Sequence, residues 1–360
     1  MGKVGVTEET GQVGQSGATP NVAIIGAGNM GGTHARAYRE AGGRVTAVCD
    51  VDAARAAAFA SAHGCRAYTD ADEMLDVARP IAVSICTPPV DHRRAAEAAL
   101  SRGIAVLCEK PLADSVAAGH VIVSAAARGG APCMTGFCHR FHEPVLQVKG
   151  LLDTGSIGRP VLFRSRFAAR FASVERTWFS DRRVSGGGAL MDTGVHSIDL
   201  YRFLIGDIAR VSAELATETP GLGVEDNSVV LVNGPAGIPG VIEASWTTPA
   251  GGSLLVIYGT EGTAMVDYTA GAFGVARIQR AGASSPETLP RAGRDRFAAE
   301  IAHFLASIAS GDGVSPDARD GLRAMDVIDA AYRVGAGAGS IVVPAGDGED
   351  DEGGREGRGL

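Results

Sequence analysis

Aromatic residues are scarce, at 5% of 360 positions, and no apolar run reaches the roughly 18 residues needed to cross a bilayer. A membrane is therefore not an expected partner. Excess basic charge is lacking too: 33 Lys and Arg against 41 Asp and Glu leave a net charge of −8. Phosphate backbones want a basic face, so no nucleic-acid partner is expected either. CxxC pairs are absent. The six cysteines, Cys49, Cys65, Cys86, Cys108, Cys133 and Cys138, all lie in the first 140 residues. Their spacing fits neither a zinc site nor a disulfide framework, and reads as reduced thiols in a cytoplasmic protein. The stretch 1–20 is polar and Gly-rich, without the apolar core of a secretory signal, and is expected to be a disordered tail. The acidic stretch 346–360 (GDGEDDEGGREGRGL) is expected to be another. What remains has an ordinary globular composition and a length that suits two domains.

From residue 21 onward, short apolar runs alternate with Ala-rich helical stretches. Asn21 to Gly26, Arg44 to Asp50, Ile81 to Cys86, Ile104 to Cys108 and Cys133 to Phe137 read as strands. Helical stretches between them cover Asn29 to Ala41, Ala53 to Ala62, Asp91 to Arg102 and Asp114 to Arg128. Strands apolar on both faces and separated by helices predict a doubly wound parallel sheet. The rhythm changes near Phe141, where the domain boundary is placed, giving domains 21–140 and 141–345. Gly188 to Ile205 reads as one helix. Ala209 to Thr217, Ser228 to Asn233, Gly240 to Trp246, Ser253 to Gly259 and Thr263 to Tyr268 then follow like an antiparallel meander, after an extended Val161 to Ala172. Two helices end the chain, Phe297 to Ser310 and Ala318 to Val334, the first a candidate to pack back on the first half.

The first strand runs directly into Gly26-Ala27-Gly28-Asn29-Met30-Gly31, a GxGxxG placed where a helix begins. Gly26 suits a tight turn, Gly28 lets backbone approach a pyrophosphate, and Gly31 allows close helix–strand packing. Asp50 ends the second strand, where a carboxylate can hold both adenosine ribose hydroxyls and repel a 2′-phosphate. No Arg or Lys follows at once, which favours NAD over NADP. Asp50 also reads as a strand-end residue or helix cap, although Asp52 is better placed to cap.

Glu109-Lys110-Pro111 follows a buried strand, at the rim where ligands bind in parallel sheets. A lysine there can favour the negative charge developing on a substrate hydroxyl, or can be an ordinary surface residue. Thr87, Pro88 and His92 belong to the same rim. In the second half, Asp192 and His196 are four residues apart, neighbours on one helix face after three glycines, Gly186 to Gly188. A neutral imidazole can take a proton from an alcohol while the carboxylate steadies the imidazolium; such pairs are also often structural. No third ligand stands at suggestive spacing, so no metal is expected. Asp199 reads as structural.

Together, AIIGAGNMG (23–31), AVCD (47–50), CTPPVDH (86–92), CEKPLA (108–113), GFCHRF (136–141) and GGGALMDTGVHSIDL (186–200) resemble the Gfo/Idh/MocA oxidoreductases. The resemblance covers roughly residues 20–344. It implies an α/β chain: an N-terminal Rossmann domain, then an α/β domain with a large, mostly antiparallel, open-faced sheet that mediates homodimers or homotetramers. It also implies an NAD-dependent dehydrogenase acting on a secondary hydroxyl of a small polyol or sugar, in the manner of inositol 2-dehydrogenase. Lys110, Asp192 and His196 resemble the family's catalytic residues, with His196 as general base. Gly26, Gly28, Asn29, Met30, Gly31 and Asp50 correspond to dinucleotide contacts, with Thr87, Pro88, His92, Glu109 and Lys110 nearer the nicotinamide. Arg140, Arg166 and Trp178 are candidates on the substrate side, each equally readable as a structural cation or a core aromatic. The stretch Phe137-Cys138-His139-Arg140 departs from the family's common form. Three alternatives stay open: a dehydrogenase of a nucleotide-linked or antibiotic-type sugar, a redox-neutral NAD-dependent glycosidase, and a sugar-sensing regulator.

Overall fold

The computed structural model describes residues 19–338 and 341–343; both expected tails fall almost wholly outside them. In chain order the first half comprises β1 (Asn21–Ile25), α1 (Asn29–Glu40), β2 (Arg44–Cys49), α2 (Ala53–His63), β3 (Arg66–Tyr68), α3 (Ala71–Ala78), β4 (Ala82–Ile85), α4 (Pro89–Leu100), β5 (Ala105–Glu109), α5 (Val116–Gly129) and β6 (Cys133–Gly136). Its strands form one parallel sheet in the order β3-β2-β1-β4-β5-β6. The runs are apolar throughout because helices cover both faces: β4 and β5 are buried at every position. Asp52 caps α2 as expected, accepting from the amides of Ala54 and Arg55. The short β3 and α3 were not legible in the sequence, three strand residues being too few for any periodicity.

The second half comprises α6 (Glu143–Asp153), β7 (Pro160–Arg170), α7 (Arg182–Ser185), α8 (Val195–Leu204), β8 (Arg210–Ala216), β9 (Asn227–Asn233), β10 (Pro239–Ser245), β11 (Thr247–Gly259), β12 (Gly262–Asp267), β13 (Val275–Arg280), β14 (Glu287–Thr288), α9 (Arg296–Ser310), α10 (Ala318–Arg333) and β15 (Ile341–Val342). The strands form a nine-stranded sheet in the order β14-β13-β12-β11-β7-β10-β9-β8-β15. The expected meander is interrupted. β7, first in sequence, lies in the middle, antiparallel to β11 and parallel to β10.

One face of this sheet packs Phe163, Val230, Ile242, Leu255 and Ile257 against Val195, Ile198 and Tyr201 of α8 and Val327 and Ile328 of α10. The other face is open. Alternate residues there, among them Val229, Leu231 and Tyr258, remain exposed, beside an Arg164–Glu243 ion pair. This is the period-2 division between a covered and an uncovered face.

α9 packs back on the first half, as expected of the helix from Phe297. Its Ile301, Phe304 and Leu305 share one apolar cluster with Ile24, Tyr38 and Leu107. α10 bridges the halves, giving Leu322 and Met325 to the parallel sheet's core and Ala324, Val327 and Ile328 to the other.

Candidate active site

The cavity that matters is about 840 Å³ and runs from the carboxyl rim of the parallel sheet to the start of α8. It lies over the switch point between β1 and β4, where strand order reverses. The glycine turn forms one end. Gly26 has φ +99°, and a Cβ there would stand 2.6 Å from the Cys86 carbonyl. At Gly31 a Cβ would stand 2.1 Å from the Gly26 carbonyl, so α1 can meet the turn only at glycine. At Gly28 a Cβ would meet nothing within 4 Å, leaving room for a ligand to reach the backbone. No side chain caps α1, so its first amides are available to a phosphate. Asp50 lines the same end. Its carboxylate accepts from the amides of Ala27 and Asp52, each at 2.9 Å, and each oxygen keeps a lone pair for a ribose hydroxyl. These residues fit a dinucleotide.

The other end is built by Lys110, Asp192 and His196. Lys110 follows β5, its peptide to Pro111 being cis. The expected helix over 188–205 divides: residues Leu190–Gly194 form a π-helical turn that leads into α8. There Lys110 Nζ donates to both the main-chain carbonyl and the Oδ1 of Asp192, each at 2.8 Å. Asp192 Oδ2 accepts from Trp246 Nε1 at 3.3 Å. The carboxylate thus holds the ammonium; the expected Asp192–His196 pairing is not formed. His196 is buried, and its Nδ1 has no hydrogen-bond partner among the described residues.

The glycines before this turn admit protein rather than ligand alone. A Cβ on Gly188 would stand 1.7 Å from the Glu225 carbonyl. The Glu225 carboxylate accepts from the amides of Gly188 and Leu190 and from the Tyr332 hydroxyl. Glu225 therefore anchors the segment that carries Asp192.

Asn29, Met30, Thr87, Pro88, Glu109 and Trp178 also line the cavity. Three other candidates do not. Arg140 is buried against Asp199 of α8, with contacts down to 2.6 Å, and reaches Asp320 of α10; it is a structural cation, as Asp199 is its structural partner. Arg166 lies outside the cavity, donating to the Gly252 carbonyl. His92 is buried and does not line the cavity, its nitrogens lying 3.0 and 2.8 Å from the Pro111 and Thr87 carbonyls.

Residues 20–137 match the description "Oxidoreductase family, NAD-binding Rossmann fold", and residues 145–265 match "GFO/IDH/MocA C-terminal domain". The inositol 2-dehydrogenase of Rubrobacter xylanophilus is 30% identical over 86% of this chain and 89% of its own length. The chain belongs to the Gfo/Idh/MocA oxidoreductases. It is also 28% identical to the D-apiose dehydrogenase of Paraburkholderia graminis, over 86% of each chain. An NAD-binding oxidoreductase from Klebsiella pneumoniae superposes with a TM-score of 0.84 at 28% identity, covering 91% of this chain and all of the other. The fold of a levoglucosan dehydrogenase complexed with NADH matches with a TM-score of 0.86 at 24% identity, over 91% of this chain and all of the other.

In this Gfo/Idh/MocA site the electrostatics divide the labour. Burial opposes the charged form of Lys110, but Asp192 and Glu109 outweigh it and hold the ammonium above its ordinary range. Burial, then the Lys110 and Arg296 charges, push the His196 imidazole well below its ordinary pKa. At neutral pH Lys110 is therefore a fixed cation and His196 a neutral nitrogen base. Glu109 accepts from His34 at 2.9 Å and from the Lys110 amide, extending the polar network behind the lysine. The sequence did not point to Arg55, Trp246, His139 or Arg296. Arg55 and His139 line the cavity, as does Arg296 at the start of α9; Arg296 had a signal in its expected returning helix, and His139 one in a stretch that departs from the family's common form.

Proposed function

We propose that this protein is an NAD-dependent dehydrogenase that oxidises a secondary hydroxyl of a cyclitol or sugar. One observation carries the reading: an imidazole whose Nδ1 has no partner among the described residues and an ammonium locked by Asp192 share a cavity with a glycine turn and the Asp50 carboxylate. His196 accepts the hydroxyl proton. Lys110, held by Asp192, donates to the same oxygen and favours its developing negative charge. Bound NAD supplies the hydride acceptor. Trp178, stacked on Phe179 with centroids 3.8 Å apart, offers an apolar face to a sugar ring. The relatives named for inositol and apiose support a polyhydroxylated substrate.

The open sheet face supports self-association into a homodimer or homotetramer, because Val229, Leu231 and Tyr258 otherwise leave apolar side chains in water. The six free thiols suit a reducing, cytoplasmic setting. The test is NADH formation across inositols, aldoses and nucleotide sugars. NADH with a free polyol supports the reading; none with any member of the panel overturns it.

A further inference from the structure

Beside His196 lie two side chains that the dehydrogenase reading does not use. Cys138 and His139, in the single turn Cys138–Phe141 that follows β6, face His196 across the cavity. One potential ligand atom from each of the three lies within 4.8 Å of the other two. All three residues are more than nine-tenths buried: Cys138 is 4%, His139 7% and His196 8% exposed. The Nδ1 atoms of both imidazoles lack any hydrogen-bond partner among the described residues. Leaving a buried polar atom unsatisfied is costly, and two such atoms on neighbouring rings point to a shared partner that is not part of the chain. The rings stand 4.5 Å apart at 64° to one another, tilted rather than stacked, so their lone pairs can converge.

We infer that Cys138, His139 and His196 form a binding site for a divalent cation of the zinc class, and that occupancy silences the dehydrogenase by taking the lone pair of His196. The inhibitory half rests on the role proposed above for His196; the binding half does not. One thiolate and two imidazoles are a donor set for Zn2+ rather than Mg2+ or Ca2+. Tetrahedral zinc at its usual bond lengths places such ligands about 3.3–3.6 Å apart, so the three groups draw together by at most about 1.5 Å. The cavity supplies the open fourth position. Binding releases the Cys138 proton to solvent and changes no oxidation state. Two cations lie near, and each has an offset: Lys110 is paired with Asp192, and Arg296 sits beside the sulfur that becomes a thiolate. Spacing along the chain hid the cluster, because the third ligand arrives from α8.

The experiment uses the full chain without nucleotide or polyol. Co2+ as probe should give one equivalent of binding with a thiolate-to-metal absorption band, displaced by Zn2+. Cys138→Ser should lose the band, and Cys138→Ser and His139→Gln should each weaken Zn2+ binding on the order of a hundredfold. Cys65→Ser, at the half-exposed thiol, should change neither. Absence of the band in the wild type, or its survival in Cys138→Ser, overturns the site. In turnover, Zn2+ should inhibit and a chelator restore activity, with the ratio of rates with and without Zn2+ near one in Cys138→Ser. Stoichiometric binding with uninhibited turnover overturns the inhibitory half. If no polyol yields NADH, the dehydrogenase reading fails separately, since the spectroscopic arm needs no turnover.

Discussion

Lys110 Nζ lies 2.8 Å from both the carbonyl and the carboxylate of Asp192, two oxygens of one residue presented by a π-helical turn. A single carboxylate fixes the ammonium in place and keeps it charged. Asp192→Asn removes the opposite charge that raises the Lys110 pKa, so that pKa should fall. The basic limb of kcat/KM should then move to lower pH, with kcat reduced on the order of tenfold or more. An unmoved basic limb would show that the lysine does not govern it.

His196→Ala should lower kcat on the order of a hundredfold or more, the usual range for a general base. NADH binding, followed by its fluorescence, should be little changed, because the glycine turn lies at the other end of the cavity. Near-normal turnover would remove His196 from the mechanism.

The acid limb follows from the environment of His196. A base whose pKa is depressed stays neutral until the pH falls well below 6.5, so activity should persist down to that range. Removing the neighbouring charge with Lys110→Met should raise the imidazole pKa towards its ordinary value. NMR titration of the ring, with a chelator present, reads this directly; an identical pKa in both proteins would refute the coupling.

Asp50→Ala should weaken NAD far more than NADP, since the carboxylate favours two ribose hydroxyls and repels a 2′-phosphate. Arg55, whose Nε is 3.4 Å from Asp50, would then keep only its pairing with Asp52 and could turn towards such a phosphate. Equal loss for both nucleotides, by titration calorimetry, would defeat the assignment.

Glu300 on α9 is fully buried, and neither carboxyl oxygen has a partner among the described residues. Burial, reinforced by Glu109, holds its pKa well above 4.5. The folded protein therefore keeps a proton that the unfolded chain releases. Stability from this group is complete below pH 4.5 and is lost as pH rises towards the folded pKa, by at most about 1.4 kcal/mol per pH unit. Glu300→Gln has no such loss, so its Tm relative to wild type should climb between pH 5 and pH 8. A constant difference across that range would mean the carboxyl ionises in place.

The nucleotide end of the site was legible because its parts are local: Gly26 to Gly31 and Asp50 act through their own turn and the adjoining strand. The chemical end was legible only as residue types. Asp192 and His196 do share a helical segment, but which of them Lys110 meets depends on a contact across 82 residues. Trp246, the other partner of Asp192, gave no local sign. Arg140 was misleading for the same reason. Its neighbour His139 faces the cavity, whereas Arg140 points away to meet Asp199 and Asp320 from two helices far along the chain. Periodicity found most of the long strands but missed β3, whose length is below its reach, and the six-residue β13 (Val275–Arg280), whose Arg277 and Arg280 break its apolar alternation.

The return of α9 to the parallel sheet carries a practical consequence. Residues 301, 304 and 305 finish a core begun by residues 22–48, so the nucleotide-binding half is completed only once the chain has been made through α9. A ribosome releasing a fragment that stops before Arg296 would deliver a half with a bare greasy flank around Ile24 and Tyr38, prone to clumping. Grafting that half onto another substrate module would require carrying the distant helix along with it.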